Sequence, residues 1–150
     1  MPNAKMSCFV DTNLLVYAID GREETKMPLI RHLLQTIISD HELVLSPQSL
    51  NECHAVLSRA GLAIPKQAVR DYVFGLSRHC TGYRGEAVTL HAWQIQDETG
   101  YQWWDALLLA SAQLSGCDVF LSEDLQHGRR IGSLRILNPF VPDTSSIFSV

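Results

Sequence analysis

The sequence predicts an α/β fold in which a short parallel β-sheet is flanked by helices on both faces. Three observations support this. Short, mostly apolar segments at 7–10, 118–121 and 134–137 have the composition of buried strands. Longer segments with apolar residues at helical spacing lie between them. The 150-residue length suits one core and is too short for two comfortable domains.

Along the chain, 7–10 reads as a strand that ends at Asp11, and 13–19 as a helical turn or two. In 26–39, Leu29, Ile30, Leu33, Leu34, Ile37 and Ile38 recur at helical spacing, with Pro28 suited to a first turn. A second short strand, 43–45, stops before Pro47. Ser46 or Ser49 caps the helix that follows, which runs through Glu52 to about Ala60 with Gly61 at its end. Pro65 opens another helix with Val69, Tyr72, Val73 and Leu76 on one face, and 80–85 reads as a loop. Helices follow at 88–97 and 103–115, the latter the most apolar of the chain and closed by Gly116. Strands each reached through helices imply parallel pairing. The expectation is one domain over 1–150, with its core at about 7–140 and a loosely held tail at 141–150.

Composition narrows the function classes. With 46% apolar and 19% charged residues, the chain falls among ordinary globular proteins rather than disordered or fibrous ones. The run 6–10 is too short for a secretory h-region, and no stretch approaches the ~20 apolar residues of a membrane span, so a cytoplasmic protein is expected. Cys8, Cys53, Cys80 and Cys117 form no C-x-x-C pair, which argues against a disulfide framework or a zinc site. The net charge of −4 runs against a phosphate-binding protein. Setting aside Asp11, Glu52, Asp105 and Asp124 as metal ligands leaves 12 acids against 12 Lys and Arg, and the objection weakens.

Those four acids carry the chemical reading. In an open parallel sheet, ligands gather beyond the carboxyl ends of the strands. Asp11 directly follows one strand, and Asp124 closely follows another. Each also has a bland reading as a turn or cap residue. Asp105 stands in the apolar helix among Trp103, Trp104, Ala106 and Leu107, where an ionised carboxylate is costly without a compensating partner. Its bland reading is a first-turn acid favoured by the helix dipole. Glu52 flanks the apolar face formed by Cys53, Val56, Leu57 and Ala60, and taken alone reads as a solvated flank. Together, acids at one sheet edge repel by about 4 kcal/mol for a pair ~4 Å apart at an effective dielectric near ~20. Such a cluster persists when a cation fills it, and carboxylate oxygens suit Mg²⁺ or Mn²⁺.

At this point the residues resemble a known family. Phe9–Val10–Asp11–Thr12–Asn13–Leu14–Leu15 is similar to the opening motif of PIN-domain nucleases, an apolar strand running into Asp-x-Asn. Glu52 in Gln48–Ser49–Leu50–Asn51–Glu52 resembles the second acid of that family. Asp105 in Trp104–Asp105–Ala106–Leu107–Leu108 resembles the third, and Leu121–Ser122–Glu123–Asp124–Leu125 the last. Order, size and wording are most similar to VapC-type toxins of toxin–antitoxin pairs. The resemblance implies a PIN-like fold and an endoribonuclease using one or two Mg²⁺ or Mn²⁺ ions. It further implies a homodimer and an antitoxin partner that occupies the active-site groove. Asp11, Glu52, Asp105 and Asp124 would hold metal; of the neighbours Glu123 and Asp124, the second is favoured, with Ser122 as its hydroxyl neighbour. Asn13 would orient Asp11 by hydrogen bonding.

Arg129 and Arg130, with His127, follow the last acid closely enough to steer RNA phosphates, although adjacent arginines are often just solvated surface. Trp103 and Trp104 read as packing residues, with base stacking as the alternative. His54 beside Cys53 does not make a metal pair, because a helix turns neighbours to different faces. Two rival functions remain. A phosphoryl-transfer domain of the haloacid-dehalogenase type wants an acid where Asn13 stands, and a receiver domain wants a paired acid before Asp11 and a later strand-end lysine. A PIN-like fold that only binds is the other rival; the presence of all four acids does not favour it.

Overall fold

The computed structural model of the protein describes residues 4–59, 61–81 and 85–149. In chain order the elements are β1 (Ser7–Val10), α1 (Thr12–Tyr17), α2 (Lys26–Asp40), β2 (Glu42–Val44), α3 (Pro47–Leu57), α4 (Lys66–Leu76), a 3₁₀ turn (Ser77–His79), α5 (Ala87–Thr99), α6 (Trp103–Leu114), β3 (Val119–Leu121), β4 (Arg130–Ile131), β5 (Leu134–Leu137) and α7 (Pro142–Phe148). The strands form one sheet in the order β2-β1-β3-β5-β4. Its first four strands are parallel and β4 runs antiparallel to β5 at the edge.

Alternation along the strands explains the two-sided core. Cys8 and Val10 of β1, and Val119 and Leu121 of β3, point to one face, while Phe9 and Phe120 point to the other. The Phe9 and Phe120 rings stack across β1 and β3 at 5.5 Å with 8° between their planes. On the first face lie Leu14 and Leu15 of α1, Ile30, Leu33 and Ile37 of α2, Cys53 and Leu57 of α3, and Val69 of α4. The second face is covered by Ala92 and Ile95 of α5 and the apolar side of α6. Cys8, Cys53 and Cys117 are buried, and burial pushes each thiol up to about 12, so these behave as small apolar residues.

Local signals place the helices. Ser46 is the N-cap of α3 and exchanges hydrogen bonds with Ser49, so the two serines form a capping box together. The expected end of this helix near Ala60 lies outside the described residues, as does 82–84 of the expected loop; α3 itself stops at Leu57. Gly100 and Gly116, with φ of 74° and 75°, supply the left-handed residues just beyond α5 and α6.

Two expectations are corrected. The segment after Val141 is not a loose tail: α7 buries Phe148 to 2% exposure against the edge of the His41 ring, and Thr144 Oγ1 donates to the Asn138 carbonyl at 2.6 Å. Its largely polar sequence, Pro-Asp-Thr-Ser-Ser-Ile-Phe, hides it from a reading by apolar periodicity. Trp104, read from the sequence as a packing residue, is 63% exposed, and Leu114 at the other end of α6 is 39% exposed. The two-residue β4 is too short to show any periodicity in sequence. Among the described residues, no helix is long and apolar enough to cross a membrane.

Candidate active site

The carboxyl ends of β1 and β3 build the centre of the site. Val10 lies opposite Leu121 in the parallel ladder, so Asp11 and Ser122 leave the sheet side by side. The Asp11 amide donates to the Leu121 carbonyl at 2.9 Å, which continues the ladder one step. Its side chain accepts from Ser122 Oγ at 2.8 Å and from the Thr12 amide at 2.8 Å. Burial is the main reason the Asp11 carboxyl is pushed up to about 6. The nearby Asp105 and Asp124 push the same way, against the bonds from Ser122 and Thr12.

Glu52 comes from the second turn of α3, whose start is fixed by the Ser46 cap just beyond β2. Thr12 Oγ1 donates to Glu52 Oε2 at 2.9 Å, and Gln48 Nε2, one turn earlier, donates to Oε1 at 2.7 Å. The same Gln48 nitrogen also donates to the Trp104 carbonyl at 3.1 Å, which ties α3 to the first turn of α6. That turn carries Asp105, whose carboxyl is held above the ordinary aspartate range by burial first, then by Asp124 and Glu52. Asp124 follows β3; it accepts from Asn13 Nδ2 at 2.7 Å, and its amide donates to Ser122 Oγ at 3.2 Å.

Four acids from four separated stretches therefore share one electrostatic field. Among the described residues the ion pairs are Arg22–Asp20 and Lys26–Glu123, and neither involves Asp11, Glu52, Asp105 or Asp124. Neutral hydroxyl and amide groups orient Asp11, Glu52 and Asp124 without cancelling their charge. An all-oxygen, uncompensated donor set fits a hard divalent cation. No three His, Cys, Asp or Glu side chains among the described residues stand as a ready-made ion cage.

Several sequence expectations change here. Asn13 bonds Asp124 rather than Asp11, and Ser122 is the residue that orients Asp11. Glu123 turns away from the four: it accepts from the Tyr17 hydroxyl and pairs with Lys26 Nζ at 3.2 Å. His127 Nδ1 accepts from the Asn138 amide at 2.9 Å, which pins its loop to the end of β5. The Arg129 guanidinium lies over the Tyr101 ring and donates to the Glu98 carbonyl. Exposed Arg130 starts β4, separated from β3 by β5, so these basic residues are not gathered around the acids. Sequence reasoning missed Thr12 and Gln48 as the groups that hold Glu52. Gln48 was legible in principle, since it lies four residues before Glu52 on one helix.

Comparison with known proteins agrees with this architecture. The chain is similar in structure to VapBC2 from Rickettsia felis bound to a DNA fragment from their promoter, with a TM-score of 0.64 at 15% identity, covering 89% of this chain and 98% of that one. It is also similar to VapBC-1 from nontypeable Haemophilus influenzae, with a TM-score of 0.62 at 16% identity and the same coverage. At these identities the likeness speaks for the fold. No curated protein matches the chain. The family model described as PIN domain matches residues 8–131, a span that holds all four acids. The chain belongs to the PIN domain family.

Proposed function

We propose that this protein is a divalent-metal-dependent endoribonuclease and the toxin of a toxin–antitoxin pair, acting in the cytoplasm. The observation that carries the reading is the convergence of Asp11, Glu52, Asp105 and Asp124 at one sheet edge with, among the described residues, no cationic side chain paired to any of them. Membership of the PIN family and a fold shared with VapBC structures support it.

In this reading Asp11, Glu52, Asp105 and Asp124 hold Mg²⁺ or Mn²⁺. When bound, the cation supplies a water of lowered pKa and a Lewis acid for the scissile phosphate of an in-line displacement. The protein's own residues set the geometry. Ser122 and the Thr12 amide fix both oxygens of Asp11, Thr12 and Gln48 fix both oxygens of Glu52, and Asn13 fixes Asp124. Each oxygen retains acceptor capacity beyond the bond it already makes. The Ser122 and Thr12 hydroxyls donate to these carboxylates, so in this reading both position the acids. Arg130 and the partly exposed Arg129 are left to approach more distant phosphates.

The partners follow from the same reading: RNA as substrate, a cognate antitoxin protein over the groove, and a second copy of the chain. Leu90 and Trp93, three residues apart on α5 and both more than half exposed, offer apolar surface of the kind a protein partner covers. The rival reading, a PIN-like module that binds without cutting, is favoured by the lack of a ready-made ion cage among the described residues. Incubation of a mixed RNA pool with the purified protein and Mn²⁺, with and without chelator, separates the two. Chelator-sensitive cleavage is expected; no cleavage, with Mn²⁺ binding absent in a parallel titration, refutes the proposal.

A further inference from the structure

Trp104 is out of place as a packing residue. It stands beside Asp105 in the first turn of α6, yet its side chain is 63% exposed, whereas tryptophan is highly buried on average. With Gln48, Asn51 and Glu52 it lines an open cavity of about 560 Å³, within the range of small-ligand sites. Glu52 belongs to both this cavity and the acidic cluster, so the cavity adjoins the acids. The wall is already braced: Gln48 Nε2 bonds both the Glu52 carboxylate and the Trp104 carbonyl. The exposed side-chain amide of Asn51 makes no hydrogen bond among the described residues.

A flat aromatic surface, a free amide and a neighbouring phosphate-binding centre together match one ligand class. We infer that this cavity is a nucleobase subsite, in which Trp104 stacks on the base next to the phosphate held at the acids and Asn51 bonds that base's edge. The inference rests on the ribonuclease reading and adds to it where the substrate's bases lie. Stacking tolerates any base, because each has a π-face, so Trp104 provides affinity. The amide of Asn51 has both donor and acceptor atoms and provides the preference among bases.

The test compares two labelled probes by fluorescence anisotropy, with Ca²⁺ in place of Mn²⁺: a short single-stranded oligoadenylate and an abasic ribose-phosphate chain of equal length. The wild-type protein is expected to prefer the oligoadenylate. Trp104→Ala should weaken oligoadenylate binding by about tenfold, as loss of a base–aromatic stack does, and leave the abasic chain unaffected. Trp104→Phe should keep most of the preference, which separates stacking from a loss of fold, and far-ultraviolet circular dichroism checks the fold of both variants. Asn51→Ala should change the ranking of oligoadenylate against oligouridylate. An undiminished preference in Trp104→Ala, with Mn²⁺-dependent cleavage of RNA intact in the wild type, overturns the subsite alone and leaves the indole to a protein partner. If the wild type binds neither probe and cuts no RNA, both the subsite and the ribonuclease reading fall.

Discussion

The Ser122 hydroxyl donates to Oδ2 of Asp11 at 2.8 Å, joining two residues 111 positions apart at the carboxyl ends of neighbouring strands. Both side chains are buried, and a hydrogen bond to a buried charged group contributes about 1.5–3 kcal/mol. Ser122→Ala leaves Asp11 with one donor fewer in the same buried place. The expected result is a melting temperature lower by several degrees near neutral pH, since about 1 kcal/mol moves the midpoint of a domain this size by roughly 2–4 °C. Cleavage should also fall at least tenfold. Calorimetry and a cleavage time course check the two effects, and an unchanged protein in both would show that this bond does not position Asp11.

Asp11 itself should oppose the stability of the metal-free fold at neutral pH. Its carboxyl is pushed from 3.8 up to about 6 by burial first and then by Asp105 and Asp124, so the folded state binds a proton that the unfolded state has already released. Stability from this group therefore falls as pH rises from about 4 to about 6 and stays reduced above that. The size is of the order of 2–3 kcal/mol, taking about 1.4 kcal/mol for each pH unit between those values. Asp105, raised for the same reasons, adds to the trend. Asp11→Asn should abolish cleavage, raise the metal-free melting temperature at pH 7 and flatten its dependence between pH 4 and 6. A thermal-denaturation series in chelator reads all of this except the cleavage.

The neighbours Glu123 and Asp124 should separate by function. Glu123 is taken up by Lys26 and Tyr17, while Asp124 is bonded by Asn13 and shares the field of Asp11 and Asp105. Glu123→Gln should keep cleavage within a few-fold and cost under about 1 kcal/mol, as for other partly exposed ion pairs. Asp124→Asn should lose cleavage by about a hundredfold or more, as expected when one of a few charge-stabilising groups is removed. Side-by-side rates on one RNA substrate decide the matter; the reverse ranking would make Glu123 the fourth acid.

Helix α7 belongs to the core. Phe148→Ala should cost about 3–5 kcal/mol, the range for emptying a buried phenylalanine site. Chemical denaturation measures it, and a loss below about 1 kcal/mol would show that the helix is only loosely docked.

The alternation and helical period of the apolar residues made most of this fold legible in the sequence. β1, β3 and β5 appear as short, mostly apolar segments, and α2 and α4 display one apolar stripe each. The elements that escaped are those whose signal is short or polar, namely the two-residue β4 and the Ser- and Thr-containing α7. Within the site, the acids were visible because buried or strand-end carboxylates demand an explanation. Their partners were not. Whether Asn13 turns toward Asp11 or Asp124 depends on the path of the loop after β3, and Thr12 meets Glu52 from 40 positions away in the chain. The exposure of Trp104 was equally hidden, since an apolar helix reads the same whichever of its turns meets solvent.

The central claim is that Asp11, Glu52, Asp105 and Asp124 form a single cation site. Anomalous diffraction from a crystal soaked in Mn²⁺ addresses it most directly. The account predicts a strong anomalous peak within coordinating reach of Asp11 and at least two of the other three acids, lost in Asp105→Asn. A saturating soak that leaves no density between these carboxylates would contradict it.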